Sequence, residues 1–207
     1  MYSEYSVEEV DRVGKKIQDA IKNLVVYSNM WQLKISEQKT LHLGKRNSRR
    51  KYFLSENIAI ADVKDIKDLG AQIDESLQFG SHYDKITAAA KCAVFRILRI
   101  FKSEDVNILI RMSKVYVRPI LEYNSPVWNP YKKKHIVLLE SIQRTYTRLI
   151  FYRCFPRHKQ MNNLPSYEKR LDTLKLDSLY IRRKLIDICF LHKMVNGQTA
   201  AQHEELV

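Results

Sequence analysis

Apolar residues recur at three- and four-residue steps through Val7, Val10, Val13, Ile17, Ile21 and Leu24, the period of one helix face. Ser6-Val7-Glu8-Glu9 stands ahead of that face in the form of a capping box, predicting a helix that opens at Ser6. From Trp31 the period shortens to two. Trp31, Leu33 and Ile35 alternate with Gln32 and Lys34, and Leu41 and Leu43 repeat the pattern after Ser36–Gln38, which predicts a short strand pair. Arg46-Asn47-Ser48-Arg49-Arg50-Lys51 reads as a polar turn, and Tyr52–Leu54, Ile58–Ile60 and Leu69–Ile73 as further short strands.

Strand signals stop at Gly80. Ser81 caps a predicted helix running to about Phe101, and Ser103 another running to about Glu122, which Pro119 kinks or ends for want of an N–H. Pro126 and Pro130 frame a rigid loop. A helix over 132–153 carries Ile136, Leu139, Ile142, Tyr146, Leu149 and Ile150 on its apolar side. Ser166 and Asp177 are expected to cap two more helices, the last closing at Asn196-Gly197 in a left-handed turn. The fold class expected is α+β, predominantly α: a small antiparallel strand region followed by a helical bundle.

The charge changes where the pattern does. The net is +13, but residues 1–80 hold 13 Lys/Arg against 12 Asp/Glu, and residues 81–207 hold 23 against 11. Within 132–170, ten basic residues face only Glu140 and Glu168. Such asymmetry points to a polyanionic partner, with a solvated basic surface as the alternative.

Several chemistries are disfavoured. No apolar run approaches the ~18 residues of a membrane span, and no charged-then-apolar leader opens the chain, so an intracellular protein is expected. Cys92, Cys154 and Cys189 are too dispersed for a zinc site or a disulfide framework and are expected to be buried as small hydrophobes. His82, His135, His158 and His192 have no companion at ligand spacing and are assigned surface or half-buried places. Phosphate-cradling, nucleophile-elbow and zincin motifs are missing. Asp62, Asp65 and Asp68 recur at three-residue spacing, but Lys64 and Lys67 neutralise them, and an exposed face is preferred to a metal cluster.

One ordered series of landmarks goes further. Trp31-Gln32-Leu33-Lys34-Ile35 with Lys39-Thr40 is followed by Lys67-Asp68-Leu69-Gly70-Ala71-Gln72-Ile73-Asp74, then by Arg118-Pro119-Ile120-Leu121-Glu122-Tyr123-Asn124-Ser125-Pro126-Val127-Trp128-Asn129-Pro130. Leu139–Arg144, Ser166–Leu171 and Leu179–Lys184 complete it. The series resembles the C-terminal part of reverse transcriptases of LINE-type (non-LTR) retrotransposons, jockey-like, from just past the catalytic aspartates through the thumb.

That resemblance implies residues 1–80 as the end of a palm, 81–130 as thumb-like helices and 131–207 as a basic helical extension. It implies Lys39 as the lysine beside leaving pyrophosphate, where an ammonium lowers the barrier to charge development. It implies Leu69-Gly70 as the primer-grip turn, with a plain strand turn as the alternative. Sequence-independent contact with RNA or DNA phosphates would fall to Lys85, Lys91, Arg96, Arg99, Lys102, Arg111, Lys114 and Arg118, extended by Lys132, Lys133, Lys134, Arg144 and Arg148. Lys132–Lys134 is also a candidate nuclear-import run. Tyr123, Trp128, Tyr131, Tyr146 and Tyr152 either stack on bases or belong to the core.

A complete family member needs Mg²⁺ held by an aspartate and an Ala-Asp-Asp hairpin, and no Asp-Asp pair occurs in this chain. The expectation is therefore a truncated reverse-transcriptase fragment, inactive as a polymerase by itself, with no cofactor of its own. A helical module for protein partners is the alternative, and the exposed palm remnant could bind a partner or a second copy.

Overall fold

A computed structural model describes residues 10–33, 35, 38–44, 47–55, 58–155 and 163–199. The capping box at Ser6 and His158 lie outside these residues. The chain divides into two compact units, one ending at Phe79 and one beginning at Gly80. The architecture is α+β and predominantly α.

In the first unit, helix α1 spans Val10–Met30. Val13, Ile17 and Ile21 are half-buried along one side as the apolar period requires, whereas Leu24, the last of the predicted stripe, is exposed and Val25 is half-buried instead. The helix runs six residues past the predicted stripe, and among the described residues of Trp31–Ile35 the expected strand does not form. Leu33 N–H bonds to the Ser28 carbonyl at 2.9 Å and Gln32 N–H to the Asn29 carbonyl at 3.3 Å, with Gln32 left-handed at φ 53°. This is the paired-bond helix ending in which a left-handed residue reverses the chain, here without glycine. The alternation of Trp31 and Leu33 therefore belongs to a helix cap.

Six short strands follow: β1 Lys39–Leu41, β2 Phe53–Ser55, β3 Ile58–Ala59, β4 Ala61–Val63, β5 Asp65–Asp68 and β6 Ala71–Asp74. They form three two-stranded ribbons. β2–β3 and β5–β6 are antiparallel as expected, while β1–β4 is parallel, pairing Lys39 with Ala61 and Leu41 with Val63. The acidic trio falls on β4 and β5, where Val63, Ile66 and Asp68 turn inward and Asp62, Asp65 and Lys67 outward. A period of two, not three, governs these aspartates. After β6, Asp74 organises the exit loop: its carboxylate accepts the N–H groups of Ser76 at 2.9 Å, Gln78 at 3.2 Å and Phe79 at 2.7 Å.

The second unit is helical. Helix α2 covers Gly80–Ile100 and buries Tyr83, Thr87, Ala90, Val94 and Ile97 along one face. Asp105, not Ser103, caps α3 (Val106–Met112), its carboxylate accepting Asn107 N–H at 2.7 Å. Ser103 instead accepts Asp105 N–H. The run to Glu122 is interrupted as Pro119 demands. Ser113–Val117 widens into a π-helical turn before α4 (Arg118–Glu122) resumes with proline in its first turn. Proline's ring clashes with the carbonyl four residues back, and the wider turn relieves that clash.

The loop framed by Pro126 and Pro130 contains a single turn, α5 (Ser125–Trp128). Helix α6 spans Lys133–Cys154 and buries Leu139, Ile142, Tyr146 and Ile150, as its apolar stripe predicts. Ser166 caps α7 (Tyr167–Thr173), and α8 spans Leu179–Val195. Its cap is Ser178, whose hydroxyl accepts Ile181 N–H at 3.2 Å, one residue later than expected. The Asp177 carbonyl is taken by Gln143 Nε2 at 2.8 Å. At the far end Gly197 is left-handed (φ 63°), with Gly197 N–H on the Met194 carbonyl and Gln198 N–H on that of Lys193.

The core of this unit is built where α2, α3, α4 and α6 meet, and it includes Val94, Leu109, Leu121, Leu139, Ile150 and Phe151. Residues on either side of position 130 share it. His82, expected at or near the surface, is buried against Trp128 with ring centroids 5.0 Å apart. Cys92 and Cys189 are exposed, contrary to expectation, because helix phase sets Cys92 opposite buried Ala90 and Val94, and Cys189 on the open side of α8.

Candidate nucleic-acid interface

On α2, Lys85, Arg96 and Arg99 share one outer stripe at offsets of 11 and 14 residues, which at ~1.5 Å per residue runs about 21 Å. Between Lys85 and Arg96 the stripe holds small exposed residues, Ala88, Ala89 and Cys92, with exposed Phe95 along its edge. Its length matches about six phosphates of one strand at ~3.4 Å axial spacing. Lys91 is exposed farther round the helix, and Lys102 follows its end.

The remaining cations fall into separate groups. Arg111 and Lys114 border a shallow cleft with Asn107 and Ile108. Lys133, Arg144 and Arg148 lie along the outer side of α6, next to exposed Lys132 and Lys134. The Arg144 guanidinium sits over the Tyr167 ring at 4.8 Å, which orients it. Arg118 differs from the rest. It is half-buried, and burial together with neighbouring Arg182 lowers its pKa, against the opposing pull of Glu122 and Asp177.

Of the aromatic candidates, Trp128 and Tyr146 belong to the core. Tyr83 donates to the Trp128 carbonyl at 2.7 Å, Trp128 Nε1 donates to the Tyr123 carbonyl at 2.9 Å, and Tyr146 donates to the Leu109 carbonyl. Tyr152 is half-buried, while Tyr123 and Tyr131 are exposed, with Lys132 Nζ over the Tyr131 ring at 5.5 Å.

In the first unit, Lys39 is exposed at the start of β1, on a cleft of about 390 Å³ that Ile17, Ile21, Leu41, His42 and Tyr52 also line. Leu69-Gly70 is the two-residue turn joining β5 to β6, across which Asp68 pairs with Ala71. Both turn residues have positive φ, 43° at Leu69 and 91° at Gly70, the hairpin geometry that matches strand twist. Glycine accepts that conformation freely, whereas leucine does not, and the Leu69 side chain is 81% exposed at the tip.

Three described aspartates of this unit are engaged locally. Asp62 pairs with His42 at 3.2 Å, Asp65 accepts from Gln72 at 2.8 Å, and Asp74 is bound to its own loop. Among the described residues, no three of His, Cys, Asp and Glu gather as metal ligands. Nor is any described helix long and apolar enough to cross a membrane.

Sequence reading missed a polar network inside the helical unit. Glu140 on α6 is buried, and its carboxylate accepts the N–H groups of Leu179 and Tyr180, each at 3.2 Å, together with the Tyr167 hydroxyl. Burial and then the adjoining Glu140 raise the Tyr167 pKa. Arg170 is buried, with Nη1 on the Pro165 carbonyl at 2.8 Å and Nε on Thr147 at 3.3 Å. Arg182 grips Glu122 through two bonds of 2.6 and 2.9 Å. Arg183, fully buried, donates to Asn129 Oδ1 at 3.3 Å, and Asn129 donates in turn to Asp187. Burial lowers the Arg183 pKa, opposed by Glu140, Glu122 and Asp187. Glu122, Asn129, Glu140, Tyr167, Arg170, Arg182 and Arg183 all stand within the landmark series, so its later members are the polar joints of the bundle. The charge of Glu122, Glu140, Arg170, Arg182 and Arg183 beside apolar positions was the available signal.

No protein-family model and no solved structure matches the chain. A Caenorhabditis elegans protein described as uncharacterized is similar, at 29% identity over 133 residues. That alignment covers 64% of this chain and 64% of the relative, so it spans less than two thirds of the relative's length.

Proposed function

We propose that this chain is a thumb-bearing C-terminal part of a LINE-type reverse transcriptase, and that it binds RNA or DNA without sequence preference. The observation that carries the reading is the stripe of Lys85, Arg96 and Arg99 on the outer face of α2, with only small residues between Lys85 and Arg96 along it, in the half of the chain that holds most of the excess positive charge. Phosphate contacts of this kind supply affinity and position but no base discrimination. Arg111, Lys114, Lys132, Lys133, Lys134 and Arg148 extend the cationic surface. Arg118 contributes through the interior charge group it shares with Arg182 and Glu122.

Polymerisation is outside the reach of these residues alone. Nucleotidyl transfer draws on carboxylates that hold two divalent ions, and Asp62, Asp65 and Asp74 are each bonded to neighbouring protein groups. Within a complete enzyme, Lys39 would serve beside leaving pyrophosphate and the Leu69-Gly70 hairpin beside the primer end. A nucleic-acid-binding role places the protein in the nucleus or the cytoplasm.

The test is binding of a labelled RNA–DNA duplex followed by anisotropy over a range of salt. A log–log slope of several units is expected, at about 0.9 per phosphate neutralised. A flat salt dependence, or no binding at low salt, eliminates the reading.

A further inference from the structure

Helix α8 is amphipathic in a sense opposite to that of an ordinary bundle helix. At ~3.6 residues per turn, Leu179, Arg183, Ile186 and Asp187 fall on the side turned to the bundle, which holds the polar network. Ile181, Leu185, Ile188 and Val195 fall on the opposite side, with Leu191 at its edge. These five aliphatic side chains are between 51% and 62% exposed. The stripe has no carboxylate, and its charged or titratable members, Lys184 and His192, stand within it four residues to either side of Ile188.

The spacing of the stripe is symmetric about Ile188. Ile181 and Leu185 stand seven and three residues before it, Leu191 and Val195 three and seven after it. A two-fold axis through Ile188, with the helices antiparallel, sets Ile188 against Ile188 of the partner subunit. The same operation sets Leu185 against Leu191 of the partner subunit, and Ile181 against Val195 of the partner subunit. An isologous interface requires such self-complementarity, and steps of three, four and seven are those of a helix–helix seam. We propose that the chain forms a two-fold symmetric dimer by antiparallel pairing of α8 with α8 of a second copy.

The size and charge of the face agree with this occupant. Five half-exposed aliphatic side chains present on the order of 500 Å² of apolar surface, as much as the largest patch on a typical monomer and of a kind that marks interaction sites. Two copies bury about 1,000 Å² together, at the low end for specific interfaces, so the dimer is weak and depends on concentration. Lys184 approaches His192 of the partner subunit, and the helical units repel one another as a whole. Added salt screens that repulsion and strengthens the dimer. The same salt weakens nucleic-acid binding, so failure of one reading is separable from failure of the other.

Sedimentation of the intact chain, free of nucleic acid, at about 0.15 and about 0.5 M salt is expected to show a monomer–dimer equilibrium that tightens with salt. Ile188→Lys places like charges on the axis and raises the dissociation constant by at least about tenfold, while the circular dichroism spectrum stays unchanged. With Cys92, Cys154 and Cys189 replaced by serine, Ile188→Cys is expected to cross-link to itself under glutathione disulfide. In that background Ile181→Cys cross-links to Val195→Cys but not to itself. A chain that stays monomeric at about 100 µM, roughly a hundredfold above a micromolar dissociation constant, overturns the proposal. So does self-cross-linking of Ile181→Cys, a dimer indifferent to Ile188→Lys, or association that salt weakens, as an acidic helical partner's would be.

Discussion

The Glu140 carboxylate, two turns into α6, accepts the Leu179 backbone N–H at 3.2 Å and thereby caps a helix that begins 39 residues later. Tyr180 N–H and the Tyr167 hydroxyl converge on the same group. A negative charge at a helix N-terminus satisfies donors that the helix cannot satisfy and complements its dipole. One buried side chain thus ties α6, α7 and α8 together.

Glu140→Ala is expected to cost about 2–4 kcal/mol, because it strands two backbone N–H groups and removes a carboxylate whose field supports buried Arg183. Tyr167→Phe, which removes only one donor, should cost about 1 kcal/mol. Urea unfolding followed by circular dichroism reads both. Because the two groups touch, the double variant should lose less than the sum of the single losses. Strict additivity would show that the hydroxyl and the carboxylate act independently.

Leu69→Asn is expected to stabilise the first unit by about 1 kcal/mol, since leucine is strained at φ 43° and asparagine adopts that region readily. The side chain is too exposed for its loss to offset the gain. Thermal melting of the variant gives the answer. A lower melting temperature would mean that the Leu69 side chain packs against something in solution. If the tip also grips nucleic acid, the more stable variant should bind more weakly, the usual sign of strain kept for function.

The pattern of hydrophobic positions revealed the long helices α1 and α6 because their apolar stripes recur over about four turns. It failed where a backbone bond decides the outcome. Three helices close with the same left-handed motif, at Gln32, Lys175 and Gly197. Only the glycine announces it, and the other two are held by their paired bonds. The strands β4 and β5 were hidden for a different reason. In segments of three or four residues, Asp and Lys on the open side look like any solvated run. The parallel pairing of β1 with β4 depends on residues more than twenty positions apart, beyond the reach of local spacing. Of the candidate interface, the cations were legible one by one, but their grouping was not. Helix phase aligns Lys85 with Arg96 and Arg99, and half-burial near Glu122 and Arg182 sets Arg118 apart from the surface cations.

His82 gives the helical unit a dependence on pH. Burial lowers its pKa below the usual 6.5, and nearby Lys85 lowers it further. His135, beside the Tyr83 ring, is lowered by burial and by Lys134 and Lys132. Between the folded pKa and about 6.5 the unfolded chain binds protons that the folded chain refuses, so stability rises with pH across that window and falls on acidification. The stability that neutral His82 provides is complete above the unfolded value and is lost as pH drops through the folded one. Urea midpoints measured between about pH 7.5 and 5 should decline. His82→Phe, which keeps a ring beside Trp128, should flatten the decline. An unchanged slope would assign the effect to other groups.

The stripe on α2 makes a prediction that a merely basic surface does not. Replacing Lys85, Arg96 and Arg99 together by alanine should lower the log–log salt slope of nucleic-acid binding by about three units, roughly 0.9 for each phosphate no longer neutralised. Exposed cations away from the core seldom change stability by more than about 0.5 kcal/mol, so the melting temperature should hold. Arg144→Ala is the contrasting case. Its guanidinium lies over the Tyr167 ring, so removing it should cost more stability than any one of the three and take at most one unit from the slope. Charge counted without regard to position would give every Lys or Arg of this unit the same effect. Equal reductions in slope from the triple variant and from three cations scattered over α3 and α6 would mean that the protein attracts nucleic acid through its overall field alone. A reduction confined to the α2 set requires a strand seated along that helix.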